Sequence, residues 1–205
     1  MNLFEDTYQT IHAEVEGVFR DKGSKFIAYA YPFSDESKLK EIVGALRNAH
    51  PKARHFCYAY RLSTDRTVFR INDDGEPSGT AGRPILNVLL SKDVTNILVI
   101  VVRYFGGTLL GVPGLINAYK SATLTALEEA SIILKTVNEL YTLQFEYLQL
   151  NEVMSIIKEE EITVSDQLFD LHCTMQIELR QARVNRVFEK LNKIDQLKIT
   201  HLVTR

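Results

Sequence analysis

Thr95-Asn96-Ile97-Leu98-Val99-Ile100-Val101-Val102-Arg103 holds the longest apolar run in the chain. Its six consecutive apolar residues, Ile97 to Val102, fall far short of the roughly 20 needed to cross a bilayer. A run without alternation reads instead as a strand buried on both faces. A glycine-rich stretch lies on either side of it. Downstream, Phe105 to Gly114 forms a loop, and Pro113 suits the first turn of a helix over about Leu115 to Ala130. Upstream, Asn72 to Pro84 is composed of turn residues and leads into a short helix, Ile85 to Leu90.

Further upstream, His55 to Leu62 alternates Phe56, Tyr58, Tyr60 and Leu62 with His55, Cys57 and Arg61, the pattern of a strand. Thr67 to Ile71 is its hairpin partner. Leu39, Ile42, Val43 and Leu46 mark one face of a helix that Ser34 caps and Pro51 ends. Strands are expected over Thr10 to Phe19 and Lys25 to Phe33, with a turn at Gly23. Beyond Leu134–Asn138 the character changes. Glu139 to Tyr147 reads as a strand, and Leu150, Val153, Met154 and Ile157 as a helix closed by Glu159-Glu160-Glu161. Thr163 to Phe169 and Leu171 to Leu179 read as strands around a turn near Asp170. Val184, Val187, Phe188 and Leu191 mark a second helix, and Leu197 to Val203 a last strand. This β-α-β-β-α-β order is the ferredoxin-like split unit. The expected class is therefore α+β, with one domain over 1–134 and a second over 138–205.

The charge of −2 is spread evenly: residues 1–133 carry 15 basic and 15 acidic side chains, and residues 134–205 carry 9 and 11. Neither half is a basic domain that would bind nucleic acid by counterion release over its whole surface. Residues 47–103 differ, with nine basic side chains against five acidic, and arginine dominates. Arginine is the bidentate donor suited to phosphate or carboxylate groups. Seven of the ten glycines (75, 79, 82, 106, 107, 111 and 114) lie between residues 75 and 114. Glycine permits tight turns and close backbone approach, and free N–H groups at a helix start form an anion site. Arg83 and Arg103 would add charge beside it. Tight loops needed for packing alone are the competing reading. Neither loop matches G-x-x-x-x-G-K-[ST] or G-x-G-x-x-G, so no nucleotide cofactor is implied.

Asp73, Asp74 and Glu76 offer carboxylates for a divalent metal or for acid–base work. They serve equally to hold Arg70, Arg83 or Arg103 by ion pairs, and that orienting role is preferred. His55 and Cys57 share a strand face, as a base and a nucleophile would, but no third group orients the histidine. Ser24-Lys25 and Ser78 are weak candidates alone. Tyr58, Tyr60, Tyr104 and Phe105 would stack on bases if exposed. Two cysteines, Cys57 and Cys173, cannot build a disulfide framework and fit a reducing compartment. Residues 1–6 show no basic segment followed by an apolar one, so no signal peptide is expected. A cytoplasmic, non-membrane protein is the expectation, with its oligomeric state open.

Gly23-Ser24-Lys25-Phe26-Ile27 and His55-Phe56-Cys57-Tyr58-Ala59-Tyr60-Arg61 resemble the opening motifs of the IMPACT/YigZ family. Asn72-Asp73-Asp74-Gly75-Glu76-Pro77-Ser78-Gly79-Thr80-Ala81-Gly82-Arg83-Pro84 resembles its signature. So does Val102-Arg103-Tyr104-Phe105-Gly106-Gly107-Thr108-Leu109-Leu110-Gly111, with Gly114-Leu115 and Ala118-Tyr119 after it. The resemblance implies a first domain of the ribosomal-protein and translation-factor type, as in domain IV of elongation factor G. It implies a second domain similar to that factor's domain V. Eukaryotic members carry a further N-terminal interaction domain and regulate translation under amino-acid starvation. This chain starts close to the family domain, so a bacterial-type member is expected. The family supplies no catalytic residues to carry over.

The leading expectation is a non-catalytic protein that contacts RNA, the ribosome or a translation factor. Its candidate binding residues are His55, Arg61, Arg70, Asn72, Asp73, Asp74, Glu76, Ser78, Gly79, Thr80, Gly82, Arg83, Arg103, Tyr104, Gly106 and Gly107. No metal or cofactor is assigned. The alternatives are a metal-dependent enzyme acting on a phosphorylated or nucleotide-like substrate, and a protein–protein adaptor.

Overall fold

The computed structural model describes residues 6–205. They divide into two compact units, residues 9–134 and residues 135–205 together with 6–8. The architecture is α+β, with antiparallel sheets.

In the first unit, β2 (Val15–Asp21), β3 (Ser24–Pro32), β4 (His55–Leu62), β5 (Val68–Asn72) and β6 (Ile97–Tyr104) form one sheet in the order β2-β3-β6-β4-β5. Every neighbouring pair is antiparallel. β6 is central and buried on both faces, as its unbroken apolar run predicts, although the sheet contains no parallel strand. Helices explain this. α2 (Gly82–Ser91) and α3 (Gly111–Glu128) cover the face presenting Phe26, Ala28, Cys57, Ala59, Val99 and Val101. α1 (Leu39–Ala49) covers the other, where Phe56, Tyr58, Tyr60 and Leu62 pack with Leu98, Ile100 and Val102. The aromatic alternation in β4 is therefore core. Gly17 lets α3 press onto β2: a Cβ there would stand 2.2 Å from the backbone nitrogen of Ala126.

Several local expectations are corrected. The segment expected as one strand over Thr10 to Phe19 is broken at residues 12–14 into β1 (Thr7–Ile11) and β2. A turn of 3-10 helix precedes α1, and its cap is Asp35, not Ser34, with the carboxylate accepting from the Ser37 N–H at 2.9 Å. α2 and α3 begin earlier than expected, at Gly82 and Gly111. Ile132–Thr136, where no element is expected and which overlaps the expected boundary at Leu134–Asn138, is a strand, β7, pairing with β1.

In the second unit, β8 (Asn138–Phe145), α4 (Leu150–Glu159), β9 (Thr163–Phe169), β10 (Cys173–Arg180), α5 (Val184–Leu191) and β11 (Lys198–Thr204) follow in that order. The sheet runs β11-β8-β10-β9, all antiparallel. One face packs on α4 and α5 through Leu143, Met175, Ile177, Val153 and Val187. β8 and β10 accordingly alternate buried with half-exposed residues. Residues 6–8, expected within the first domain, belong to this unit, where the Val137 N–H donates to the Asp6 carbonyl at 2.7 Å. The Asp6 carboxylate is held in turn by the Arg180 guanidinium and the Ala182 N–H.

Candidate functional site

The signature loop after β5 is organised by its own acidic side chains. Asn72 accepts the Asp74 N–H at 2.7 Å, an Asx turn that aims the next carboxylates. Asp73 turns inward. Its Oδ2 accepts from the Gly79 N–H at 2.9 Å, and its Oδ1 from Ala81 at 3.1 Å and Gly82 at 2.8 Å. The N–H groups that would make an anion site at the start of α2 are thus satisfied from within. Asp74 accepts both 2.8 Å and 2.9 Å contacts from Arg47 Nη2, and the Phe56 N–H at 2.7 Å. Thr80 closes the turn, its hydroxyl donating to the Pro77 carbonyl at 2.7 Å. Ser78 and Gly79 are left exposed at the tip.

Below the loop runs a buried polar chain. Arg103 Nη1 stands 2.6 Å from Glu76 Oε1, with the two side chains 6% and 3% exposed. The Tyr119 hydroxyl donates to the same oxygen at 2.7 Å. Cys57 Sγ lies 3.3 Å from that hydroxyl and donates to the Asp73 carbonyl at 3.0 Å. Burial pushes both the Cys57 thiol and the Tyr119 phenol well above their ordinary ranges, so the thiol stays protonated and is no nucleophile. His55 Nδ1 lies 2.9 Å from the Asp74 carbonyl. A carbonyl only accepts, so Nδ1 carries a proton, and in the neutral ring Nε2 is then the acceptor. His55 and Cys57 are committed to separate carbonyls and do not form a base–nucleophile pair. The Arg103 guanidinium also lies 5.4 Å from the Phe26 ring centre and 5.6 Å from that of Phe105.

The second glycine loop is pinned to the β2–β3 turn. The Gly106 N–H donates to Ser24 Oγ at 3.1 Å, and a Cβ on Gly106 would meet the Gly23 carbonyl carbon at 2.0 Å. Ser24 therefore holds the loop, and Gly106 is required by close approach.

Between the loops opens a cleft of about 690 Å³. Its walls include His55, Gly75 to Pro77, Arg103 to Phe105 and Leu109 to Val112. Lys52 and Arg54 line its edge, exposed and without an ion pair among the described residues. Phe105, Leu109 and Val112 are 54%, 82% and 52% exposed. The structure thus gathers His55, Glu76, Arg103 and Tyr104 around one cavity, supported by Asn72, Asp73, Asp74 and Gly106.

The other candidates lie elsewhere. Arg61 is buried, bonded to Asp93 at 3.1 Å and to the Val94 carbonyl at 3.2 Å. Six residues of extended strand put it about 20 Å along β4 from His55. Arg70 is exposed on β5, opposite Tyr60. Arg83 lines a separate groove between α2 and α3, so it does not share a site with Arg103, and Arg103 itself is sequestered by Glu76. Sequence reasoning missed Leu109 and Val112 and singled out neither Lys52 nor Arg54. The available signal was two cations just before β4 and apolar residues inside a glycine-rich loop. No group of three or more His, Cys, Asp or Glu side chains suited to a metal occurs among the described residues. Among the described residues no helix is long and apolar enough to cross a membrane.

The Impact N-terminal domain family matches residues 22–127, the stretch that holds both loops and the cleft. The chain is 34% identical to IMPACT family member YigZ of Escherichia coli over 181 residues, 87% of this chain and 89% of that one. A solved structure described as that of a hypothetical protein superposes with a TM-score of 0.74 at 31% identity, covering 98% of this chain and 99% of that one. The likeness to the protein IMPACT homolog of Saccharomyces cerevisiae is 33% over 96 residues, 44% of this chain and 36% of the yeast protein. Matching motifs, a matching domain and likeness to a bacterial relative over 87% of this chain make it a member of the IMPACT family.

Proposed function

We propose that this protein is a non-catalytic, cytoplasmic factor that contacts RNA or the ribosome through the cleft between its two glycine loops and acts in the regulation of translation. One observation carries the reading. Two unpaired cations, Lys52 and Arg54, and an exposed ring, Phe105, line the same cavity. Cations that follow a phosphate backbone, with an aromatic face for an unstacked base, are what single-stranded RNA recognition requires. His55 Nε2 adds an acceptor that a ribose hydroxyl or a base N–H would satisfy.

Fold analogy supports the same reading at lower weight. We read the first unit as the type found in domain IV of elongation factor G. We read the second as ferredoxin-like, because its strand order takes the fourth, first, third and second strands in turn. The rival reading, a metal-dependent enzyme, has less support. Asp73, Asp74 and Glu76 each already accept at least two donors from the protein, so none is free to serve a metal without breaking the loop. An adaptor role draws on the exposed Leu109 and Val112.

The test is binding of a short fluorescent single-stranded RNA to the full chain and to Phe105→Ala. Loss of a stacking platform is expected to cost about 1–3 kcal/mol of binding. Unchanged affinity in a folded Phe105→Ala protein would remove the ring from the site.

A further inference from the structure

A second concave surface lies on the first unit and shares no lining residue with the cleft. α2 and α3 pack side by side over the sheet and leave a groove of about 430 Å³ between their outer edges. Its lining is mostly apolar, with Pro84 and Val88 from α2 and Ile116 and Leu124 from α3, and Asn87 and Ser91 of α2 add two neutral polar groups. Arg83 and Lys120 stand on opposite walls, both exposed and both without an ion pair among the described residues. Ile116, Lys120 and Leu124 follow at i, i+4 and i+8, so they form one face of α3.

The electrostatics of the groove are one-sided. Between Glu76 and Glu128 the only acidic residue is Asp93, and its carboxylate is taken by Arg61 at 3.1 Å and Arg66 at 2.9 Å. No carboxylate lines the groove. Its only charged lining residues are therefore the cations Arg83 and Lys120, with apolar and neutral polar side chains between them. No aromatic side chain lines it either, so it lacks the stacking platform that unpaired bases need. Its length, set by the ten residues of α2, is about 15 Å, close to three helical turns.

We propose that this groove docks an amphipathic helix from a partner protein, with aliphatic residues facing Ile116 and Leu124 and acidic residues flanking them to meet Arg83 and Lys120. This is the helix-in-groove mode, in which i, i+3, i+4 and i+7 anchors supply the contact area, and the rim charges set orientation and exclude basic partners. It is independent of the RNA reading, which rests on Lys52, Arg54 and Phe105.

The experiment uses the full chain and two designed fluorescent peptides of about four helical turns. Both carry a leucine stripe; one has glutamate flanks and its twin has lysine flanks. Fluorescence anisotropy is expected to show salt-sensitive binding of the acidic peptide alone. Arg83→Glu/Lys120→Glu should weaken that binding at least about tenfold and gain the lysine-flanked twin. Ile116→Ser should weaken it with the charges intact, and all variants should keep the parent urea midpoint. Failure of the acidic peptide to bind at about 1 mM would overturn the proposal. So would equal binding of both peptides, or indifference to the charge reversal. Loss of oligouridine binding in the charge-reversed protein, with peptide binding untouched, would make the groove a nucleic-acid surface and refute it.

Discussion

Asp73 Oδ1 stands 2.8 Å from the backbone nitrogen of Gly82, so α2 starts on an anion supplied by its own chain. The acidic residue nine positions upstream does the work that a bound phosphate does in other glycine loops. Removing it should therefore be costly. Asp73→Ala leaves the N–H groups of Gly79, Ala81 and Gly82 without their acceptor, and a loss of about 2–3 kcal/mol is expected in urea unfolding. Sulfate at tens of millimolar should restore part of that stability by entering the vacated position, an effect absent from the parent protein.

The pair Arg103–Glu76 is buried and shares its acceptor with Tyr119. Breaking one side strands a charge. Arg103→Leu or Glu76→Gln should each destabilise the first unit by about 3–5 kcal/mol, and the double variant by less than the sum. Arg103→Lys should not rescue fully, because an ammonium cannot reproduce the planar group that lies near both Phe26 and Phe105. Additive losses would show that the two side chains act separately.

Close approach makes Gly106 intolerant of any side chain. Gly106→Ala would drive a Cβ to 2.0 Å from the Gly23 carbonyl carbon, so the loop must move away from Ser24. A loss of at least about 2 kcal/mol is expected, together with weaker ligand binding at the cleft. Gly79→Ala meets nothing within 4 Å but keeps φ at +78°, and should cost only about 1–2 kcal/mol. Thermal melting of the two variants compares them directly.

In the second unit, acid sensitivity should concentrate in three carboxylates. Glu160 is held below the ordinary range by a hydrogen bond from Lys190, Glu178 by one from Arg205, and Asp6 by one from Arg180. A carboxylate whose pKa is lower in the folded state contributes stability that is fully present above its unfolded value, about 4, and is lost as pH falls through the folded one. The urea midpoint should therefore be flat between about pH 8 and pH 5 from these groups, and fall below about pH 4. Glu160→Gln should lower the plateau and flatten the acid limb. An unchanged acid limb in that variant would remove Glu160 from the account.

The contrast between the units shows what a sequence reveals. β6 was legible because six apolar residues in a row have few other uses, and α4, α5, β8 and β10 because period and burial coincide. β7 was not, since Ile132–Thr136 is a strand only through its pairing with β1, more than a hundred residues earlier. The early starts of α2 and α3 were hidden by Gly82 and Gly111, poor helix formers; at α2 the compensation is the distant carboxylate of Asp73. The site was legible as a region but not as a set of roles. An ion pair between the loop carboxylates and Arg70, Arg83 or Arg103 was expected, and Glu76 makes it to Arg103 27 positions away, whereas nothing in the sequence marks Arg61 as matched by Asp93 32 positions away. Those pairings turn expected surface cations into buried ones and leave Lys52 and Arg54 as the free charges of the cleft.

RNA contact at the cleft depends on those two residues. The most direct measurement is the affinity of the full chain for ribosomes and for short single-stranded RNA across a salt series, repeated with Lys52→Ala/Arg54→Ala. Binding should weaken as salt rises, with a slope reduced by about one to two in the double variant, while Arg61 and Arg70 substitutions that leave the protein folded keep the parent slope. Absence of binding at low salt, or a slope that the double variant leaves unchanged, would contradict it.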